Sequence, residues 1–572
     1  FLEKLISHPN FLDGSARTSF LEEHPDIFEL PQRRDRANKL LRFIGETTVN
    51  GHDSMGQLER PLHLVLEDVS SANSVWNSLK PGERPPGWRD VFLKGGAKAL
   101  CEKVRTETKL LVTDTSLRDA HQSLIATRLR THDMLPIARY VSDNVPQLFS
   151  MEMWGGATFD VCLRFLRDDP WERLARLRET VPNILFQMLL RGANVVGYKS
   201  YPQNVIREFV KESRAAGIDI FRIFDCFNQL SQMQVALEQE RSQQGKSSKY
   251  HLKYFAEKAK LFADAGADMI AIKDMSGLLR PHAARKLIAA LRDATDLPIH
   301  LHTHDAAGSQ GAAYLQACDA GVDIVDCAFS AVSGTTSQPS LEGLVAALEH
   351  HPRATELSLS SLTPVSEYWE KVRCYYGPFE SDLKSATGEV YLYEIPGGQY
   401  SNLRPQAAQL GLGDRWTEIK HMYADVNAML GNIIKVTPSS KAVGDLALYM
   451  VAQGLKPHDV ITRASELSFP LSVIELLRGD MGFPDGGFPE ELRRAVLKET
   501  YREEPSSISA PDADLAAIVS ELSTKIGSTP TKFELLSYLM YPQVFLDFHK
   551  HRDEFGDVSI MPTVPFLYGL RE

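Results

Sequence analysis

Seven short apolar runs, each followed by a stretch of helical periodicity, organise the chain from about Leu110 to Leu348. The runs are "LLVTDTS" (110–116), "LFSMEMWGG" (148–156), "NILFQMLLRG" (183–192), "IDIFRIFD" (218–225), "DMIAIKD" (268–274), "PIHLHTHD" (298–305) and "VDIVDCAFS" (322–330). Continuous apolar runs of this length predict strands buried on both faces, as in a parallel sheet covered by helices. Between them, patterns such as "RKLIAALRDAT" and "QGAAYLQACDAG" predict amphipathic helices closed by Gly or Pro. Seven or eight such βα units favour a TIM-like (β/α)8 barrel over an open doubly wound sheet.

The count is seven, one short of that barrel. Most strand starts lie roughly 25–40 residues apart, but the step from 218 to 268 is longer and still holds no strand pattern. It reads as helix, a polar turn near Gly245–Lys249, then helix again. Closing a sheet over seven strands changes its radius and leaves two unpaired edges unless the flanking strands rejoin, so reduced stability is expected. Before the barrel, 1–109 is mixed, with the Pro-rich "KPGERPPGW" (80–88) marking a boundary. After it, 355–572 is largely helical, and "EIPGGQYSNL" (394–403) reads there as a polar, Gly-rich loop.

Composition narrows the class. At 572 residues the chain is too long for one core, and 43% hydrophobic with 24% charged residues is ordinary for a globular protein. No apolar run is long enough to span a membrane, and a net charge of −11 argues against a nucleic-acid surface. The six cysteines form no CxxC pair, which fits a reducing compartment and excludes a thiolate zinc site. The chain opens on Phe with no basic-then-apolar leader, so no targeting signal is expected and the sequence reads as a fragment.

Barrel chemistry sits at the C-terminal ends of the strands. Those ends carry Arg118, Asp119 and Gln122 after the first run, Arg191 after the third, Asp225 after the fourth and Lys273 near the end of the fifth. In the sixth, His300, His302 and His304 alternate and so face the interior together, with His302 and His304 nearest the rim. Two imidazoles at i and i+2 beside Asp305 suit a metal; the alternative is a hydrogen-bonded polar layer, and His300 suits the deeper core. Asp119 reads equally as a carboxylate ligand or as a salt-bridge partner of Arg118. A buried, unpaired Lys273 would cost several kcal/mol or give up its proton.

Taken together, "TDTSLRDAHQSLIATR", "EMWGGATFD", "LLRGANVVGY", "FRIFD", "IKDMSGLL" and "HLHTHDAAG" resemble the carboxyltransferase domains of the pyruvate carboxylase family. The likeness continues through "PGGQYSNL", "VTPSSKAVGDLALYM" (436–450) and "SYLMYPQVF" (537–545), so it covers nearly all of 90–572. "SHPNFLDGSARTSFLEEHPDIFEL" is similar to the tail of a biotin carboxylase domain. The resemblance implies a tail over 1–32, a linker or allosteric-type segment over 33–89, the barrel over 90–354 and a helical part over 355–572. It also implies a divalent metal (Zn, Mn or Co) held by Asp119, His302, His304 and a carbamylated Lys273. Pyruvate would lie on Arg191 and Gln122, with Thr437 relaying a proton. Arg118, Asp160 and Tyr198 would line one side of the biotin pocket, Ser440 and Lys441 the other. Thr437 also reads as a helix N-cap, with Pro438 as the first helical residue.

The implied reaction carries CO2 from carboxybiotin to pyruvate, giving oxaloacetate for anaplerosis and gluconeogenesis. Biotin would come on a separate carrier domain to a homo-oligomer, a tetramer, in bacterial cytoplasm or the mitochondrial matrix of a eukaryote. The family's ATP-grasp region and "MKM"-type biotinyl-lysine motif are not seen. Its fifth barrel strand is missing where "ALEQERSQQGK" meets "SSKYHLKYF", a loss of roughly a dozen residues. Three other readings stay open: an oxaloacetate decarboxylase or transcarboxylase subunit, a metal-dependent barrel such as the isopropylmalate synthase group, and an inactive oligomeric scaffold. The second shares the Arg-Asp and HxH patterns, but Lys273 and "VTPSSK" speak against it.

Overall fold

The computed structural model describes residues 5–17, 20–24, 84–197, 199–230, 233, 250–380, 383–502 and 511–568. The chain divides into two compact units, Phe1–Val75 and Trp76–Glu572. In the first, the described residues form short helices at Pro9–Leu12 and Phe20–Glu23, with the rings of His8, Phe20 and His24 packed together. Of the expected tail (1–32), residues 5–17 and 20–24 are described; the expected linker (33–89) lies outside the described residues up to 83.

In the second unit each of the seven apolar runs forms a strand. They are β1 (Leu111–Asp114), β2 (Ser150–Trp154), β3 (Leu185–Leu190), β4 (Ile220–Ile223), β5 (Ile270–Asp274), β6 (Ile299–Thr303) and β7 (Ile324–Cys327). All pairs are parallel, and the order is β4-β3-β2-β1-β7-β6-β5. The closing β1–β7 pair makes this a nearly complete barrel whose one opening lies between β4 and β5. Among the described residues no strand lies in that gap; the first helix expected there falls largely outside them. The strands beside the gap differ from the rest: β1, β2, β3, β6 and β7 are buried throughout, whereas β4 and β5 are mostly half-exposed.

Side chains brace the floor of the barrel. Helix α1 (Trp88–Thr106) starts at the end of the Pro-rich boundary, and its Trp88, Leu100 and Val104 pack on Leu111, Phe149, Leu185 and Ile324. Two buried aspartates pin its ends. Asp219, just before β4, pairs with Arg89 at 3.0 Å and Arg178 at 2.6 Å and accepts from the Phe186 amide. Asp323, just before β7, pairs with Arg105 at 3.0 Å and Arg292 at 2.5 Å and accepts from the Ile299 amide. Each carboxylate therefore ties the plug helix to two adjacent strands.

At the other end, helices α2 (Gly397–Gln409), α3 (Trp416–Met429) and α4 (Ser439–Gln453) share a core with Cys226 and Phe227 after β4, against which Phe224 and Met275 also pack. The loop expected over 394–403 is thus corrected: α2 begins at Gly397. Pro396 sets the entry, and both glycines fall in the first turn, where the amides have no intrahelical partner. Glycine is needed at 397 because a Cβ there would come within 2.7 Å of the Thr336 carbonyl oxygen. Among the described residues no helix is long and apolar enough to cross a membrane.

Unpaired strand edges open more readily than ladders bonded on both sides. Hydrogen exchange read by mass spectrometry should find Ile220–Ile223 and Ile270–Asp274 less protected than β1 and β2. Equal protection would mean that another segment pairs in the gap.

Candidate active site

The first strand hands the chain to a short turn of wide helix, Ser116–Ala120, which carries Arg118 and Asp119 into the barrel mouth. His302 lies on β6 and His304 just beyond its end. One ligand atom each from Asp119, His302 and His304, all buried, falls within 4.8 Å of the others. His302 Nδ1 donates to Asp326 Oδ2 at 2.7 Å, and His304 Nδ1 donates to the Thr336 carbonyl at 2.6 Å. Those bonds leave each Nε2 as an acceptor in the neutral rings. The two Nε2 atoms lie 3.2 and 3.3 Å from Asp119 Oδ2. Three acceptors facing one another repel unless a cation lies among them, and His302 Nε2 has no hydrogen-bond partner among the described residues. The donor set and this orphaned nitrogen fit a divalent metal.

Arg118 Nη1 pairs with Asp119 Oδ1 at 2.8 Å, so the salt-bridge and ligand readings of Asp119 hold together: one oxygen faces the arginine, the other the histidines. Burial alone would raise the Asp119 carboxyl; the Arg118 guanidinium beside it overcomes that and holds it well below the usual range. Gln338 Nε2 donates to Asp119 Oδ2 at 2.9 Å.

Lys273 stands in register with His302 on the adjoining strand, so the two side chains point the same way. Its Nζ is buried, has no hydrogen-bond partner among the described residues, and lies 5.9 Å from the Phe224 ring across the gap. Burial is the main reason its amine is lowered to about 8.

Two glycines after β2 make room for guanidinium groups. A Cβ at Gly155 would sit 2.5 Å from Arg118 Nε, and one at Gly156 would sit 2.6 Å from Arg191 Nη1. Arg191, at the end of β3, donates to the Gly197 carbonyl at 2.8 Å. Gln122 follows on a short helix (His121–Leu124), and its Oε1 is buried with no partner among the described residues.

The capping reading of Thr437 is corrected. Helix α4 starts at Ser439 with Pro438 as its cap residue, and no side-chain cap bond forms. Ser439 Oγ instead donates to the carbonyls of Ile434 and Val436, each at 2.7 Å. Thr437 is half-buried and its hydroxyl is uncommitted among the described residues. Its segment is tied towards β5: Lys435 pairs with Glu394 at 2.5 Å, and the Glu394 carbonyl accepts from Ser276 at 3.4 Å.

The residues expected at the biotin pocket have partners of their own. Asp160 pairs with Arg164 at 2.8 Å and Lys441 with Asp445 at 2.5 Å, while Ser440 is buried at the start of α4. Tyr198 lies outside the described residues. Asp305 is corrected as a neighbour of the metal cluster: its carboxylate accepts from the Gln310 amide at 3.0 Å, anchoring the next helix. His300 lies deeper, paired with Asp326 at 2.5 Å. Sequence reasoning missed Asp326, Gln338 and Thr336. Asp326 alone left a signal, an acid in the inward alternation of an otherwise apolar strand.

Known proteins align with this chain along its length. Residues 390–572 match the family described as a conserved carboxylase domain, and 203–368 match the HMGL-like family. The pyruvate carboxylase of Bacillus subtilis is 45% identical over 588 residues, spanning 100% of this chain and 50% of that protein. The mitochondrial pyruvate carboxylase of Homo sapiens is 44% identical, spanning 100% and 49%. The chain thus covers about half the length of the curated relatives it matches. Because 588 aligned positions exceed the 572 residues present, at least 16 positions have no counterpart here. The carboxyl transferase domain from Rhizobium etli pyruvate carboxylase superposes with a TM-score of 0.83 at 45% identity, covering 94% of this chain and 92% of that one. Matched almost end to end by that solved domain, this chain belongs to the family of pyruvate carboxylase carboxyl transferase domains.

Proposed function

We propose that this chain performs the carboxyltransferase half-reaction of pyruvate carboxylase, moving CO2 from carboxybiotin to pyruvate to give oxaloacetate. The observation that carries the reading is the convergence of Asp119 Oδ2, His302 Nε2 and His304 Nε2 at the rim of the barrel. Support also comes from the Rhizobium etli domain, which has been solved with pyruvate and with pyruvate and biocytin. The HMGL-like match alone would suit a lyase barrel; the conserved carboxylase match over 390–572 favours carboxyl transfer.

Asp119, His302, His304 and Lys273 would hold the metal, and mixed nitrogen and oxygen donors suit Zn, Mn or Co. Once bound, a divalent ion supplies electrostatic stabilisation to negative charge that develops on substrate oxygens. Lys273 joins as a carbamate: its neutral amine, made accessible by burial, adds CO2 and loses a proton.

The chain's own groups handle the substrates. Arg191 receives the pyruvate carboxylate in its guanidinium fork, and Gln122 adds a hydrogen bond. Carboxybiotin breaks its N–CO2 bond, leaving a basic ring nitrogen. The Thr437 hydroxyl gives that nitrogen its proton and takes one from the pyruvate methyl group, and the resulting enolate carbon attacks CO2. Arg118, Asp160, Tyr198, Ser440 and Lys441 form the biotin pocket on this reading; Asp160 and Lys441 exchange Arg164 and Asp445 for the ligand. Biotin reaches the site on a carrier domain, and the working form is a homo-oligomer.

Oxaloacetate decarboxylation stimulated by free biotin tests this in reverse. Thr437→Ala should lower kcat by about 100-fold or more with little change in oxaloacetate KM. A metal-loaded wild-type chain with no decarboxylation would favour the scaffold reading. Arg191→Lys, which keeps the charge and loses the fork, should raise the KM for oxaloacetate about tenfold; a rise under about twofold removes Arg191 from carboxylate binding. With 13C-bicarbonate, wild type should give a carbamate NMR signal that Lys273→Arg lacks; a signal that persists in the variant would place the carbamate elsewhere.

A further inference from the structure

We infer that Arg222 is a positioning residue for the metal centre, acting through Asp326 on His302 from the opposite side of the barrel. The inference rests on the reading of Asp119, His302 and His304 as metal ligands.

Arg222 is an inward-facing residue of β4 and is 6% exposed. Among the described residues its strand is an edge, bonded to β3 through Ile220–Ile223 and to no other strand. Across the barrel interior, Arg222 grips Asp326 on β7 with both arms of its fork: Nη1 donates to Oδ2 at 2.5 Å and Nη2 to Oδ1 at 3.1 Å. Nη2 also donates to Gln187 Oε1 at 3.4 Å and lies 2.9 Å from His300 Nε2.

Asp326 Oδ2 is shared. The oxygen that receives Arg222 also receives His302 Nδ1, at 2.7 Å. A two-point grip fixes the plane of a carboxylate, where a single contact leaves it free to turn. With that plane fixed, the direction of the His302 ring is set, and with it the line from Nε2 to Asp119. Outer partners of this kind orient metal-ligating histidines and set their affinity. Among the described residues Arg222 has no hydrogen bond to Asp119 or to the His302 ring, so its hydrogen-bonded route to His302 runs through Asp326; its charge also reaches Asp119 through space, which is why the lysine variant, keeping the charge, is the test.

A double-mutant cycle on the full chain separates positioning from simple bracing of β4. The affinity for Co2+ is measured by chelator competition, with the visible absorption of the bound ion as a second readout and circular dichroism to establish folding. Arg222→Lys keeps the charge but cannot span both Asp326 oxygens. It should weaken Co2+ binding about 10- to 100-fold in the otherwise unchanged chain, and shift the absorption bands. In a His302→Ala background the same substitution should change affinity by less than about twofold, because the residue it orients is gone. Unchanged affinity on Arg222→Lys, or an equal loss in both backgrounds, overturns the inference and leaves Arg222 as a brace between β4 and β7. If His302→Ala alone leaves Co2+ affinity unaltered, the ligand assignment itself fails, and the inference with it. Arg222→Gln, which can keep one bond to Asp326, carries the same cycle if the lysine variant does not fold.

Discussion

Asp326 is a carboxylate with no solvent exposure, set in an apolar strand, and a charge so placed is tolerable only when cations and donors surround it. Arg222, His300 and His302 do so, from β4 and β6, while Asp326 itself belongs to β7. Burial would raise its carboxyl; these partners reverse that and hold it well below the usual range. The same contacts turn two imidazoles to defined angles. The arrangement that makes a buried charge stable therefore also aims His302 at Asp119.

That interior network matters more here because, among the described residues, the sheet is open between β4 and β5. Where β4 and β5 would each bond to a further strand, among the described residues side chains carry the load. Arg222 reaches over the interior to β7, and Lys273 faces Phe224 across the gap. Asp219 and Asp323 clamp the floor helix, and the C-terminal core covers the upper ends of β4 and β5. Ion pairs of this kind are stabilising only while every buried partner is satisfied. The open barrel is thus unusually dependent on a few polar residues.

Much of the fold was legible from the apolar runs, since both-face burial leaves a continuous signal in the chain. All seven runs became strands, and the missing beat between 218 and 268 corresponds to the ends of the sheet, where among the described residues β4 and β5 each bond to one strand. The helix at Gly397 was not legible, because two glycines and a proline read locally as a loop. Only its close approach to Thr336 explains why glycine belongs there. Thr437 was misread as a cap for a related reason: a Thr-Pro-Ser run permits several starts, and packing chose the one after Pro438.

The strand-end residues Asp119, Lys273, His302 and His304 stand out from the sequence because barrel geometry sends alternate side chains inward at a predictable end. Sequence by itself determined the order of the elements and the seven parallel strands. It did not determine how those side chains meet. That Lys273 faces His302 in register and that Asp326 serves Arg222 and two histidines at once were decided by tertiary structure. Periodicity is local and survives in one dimension, whereas the direction of a hydrogen bond depends on residues distant in the chain that meet only when the barrel closes.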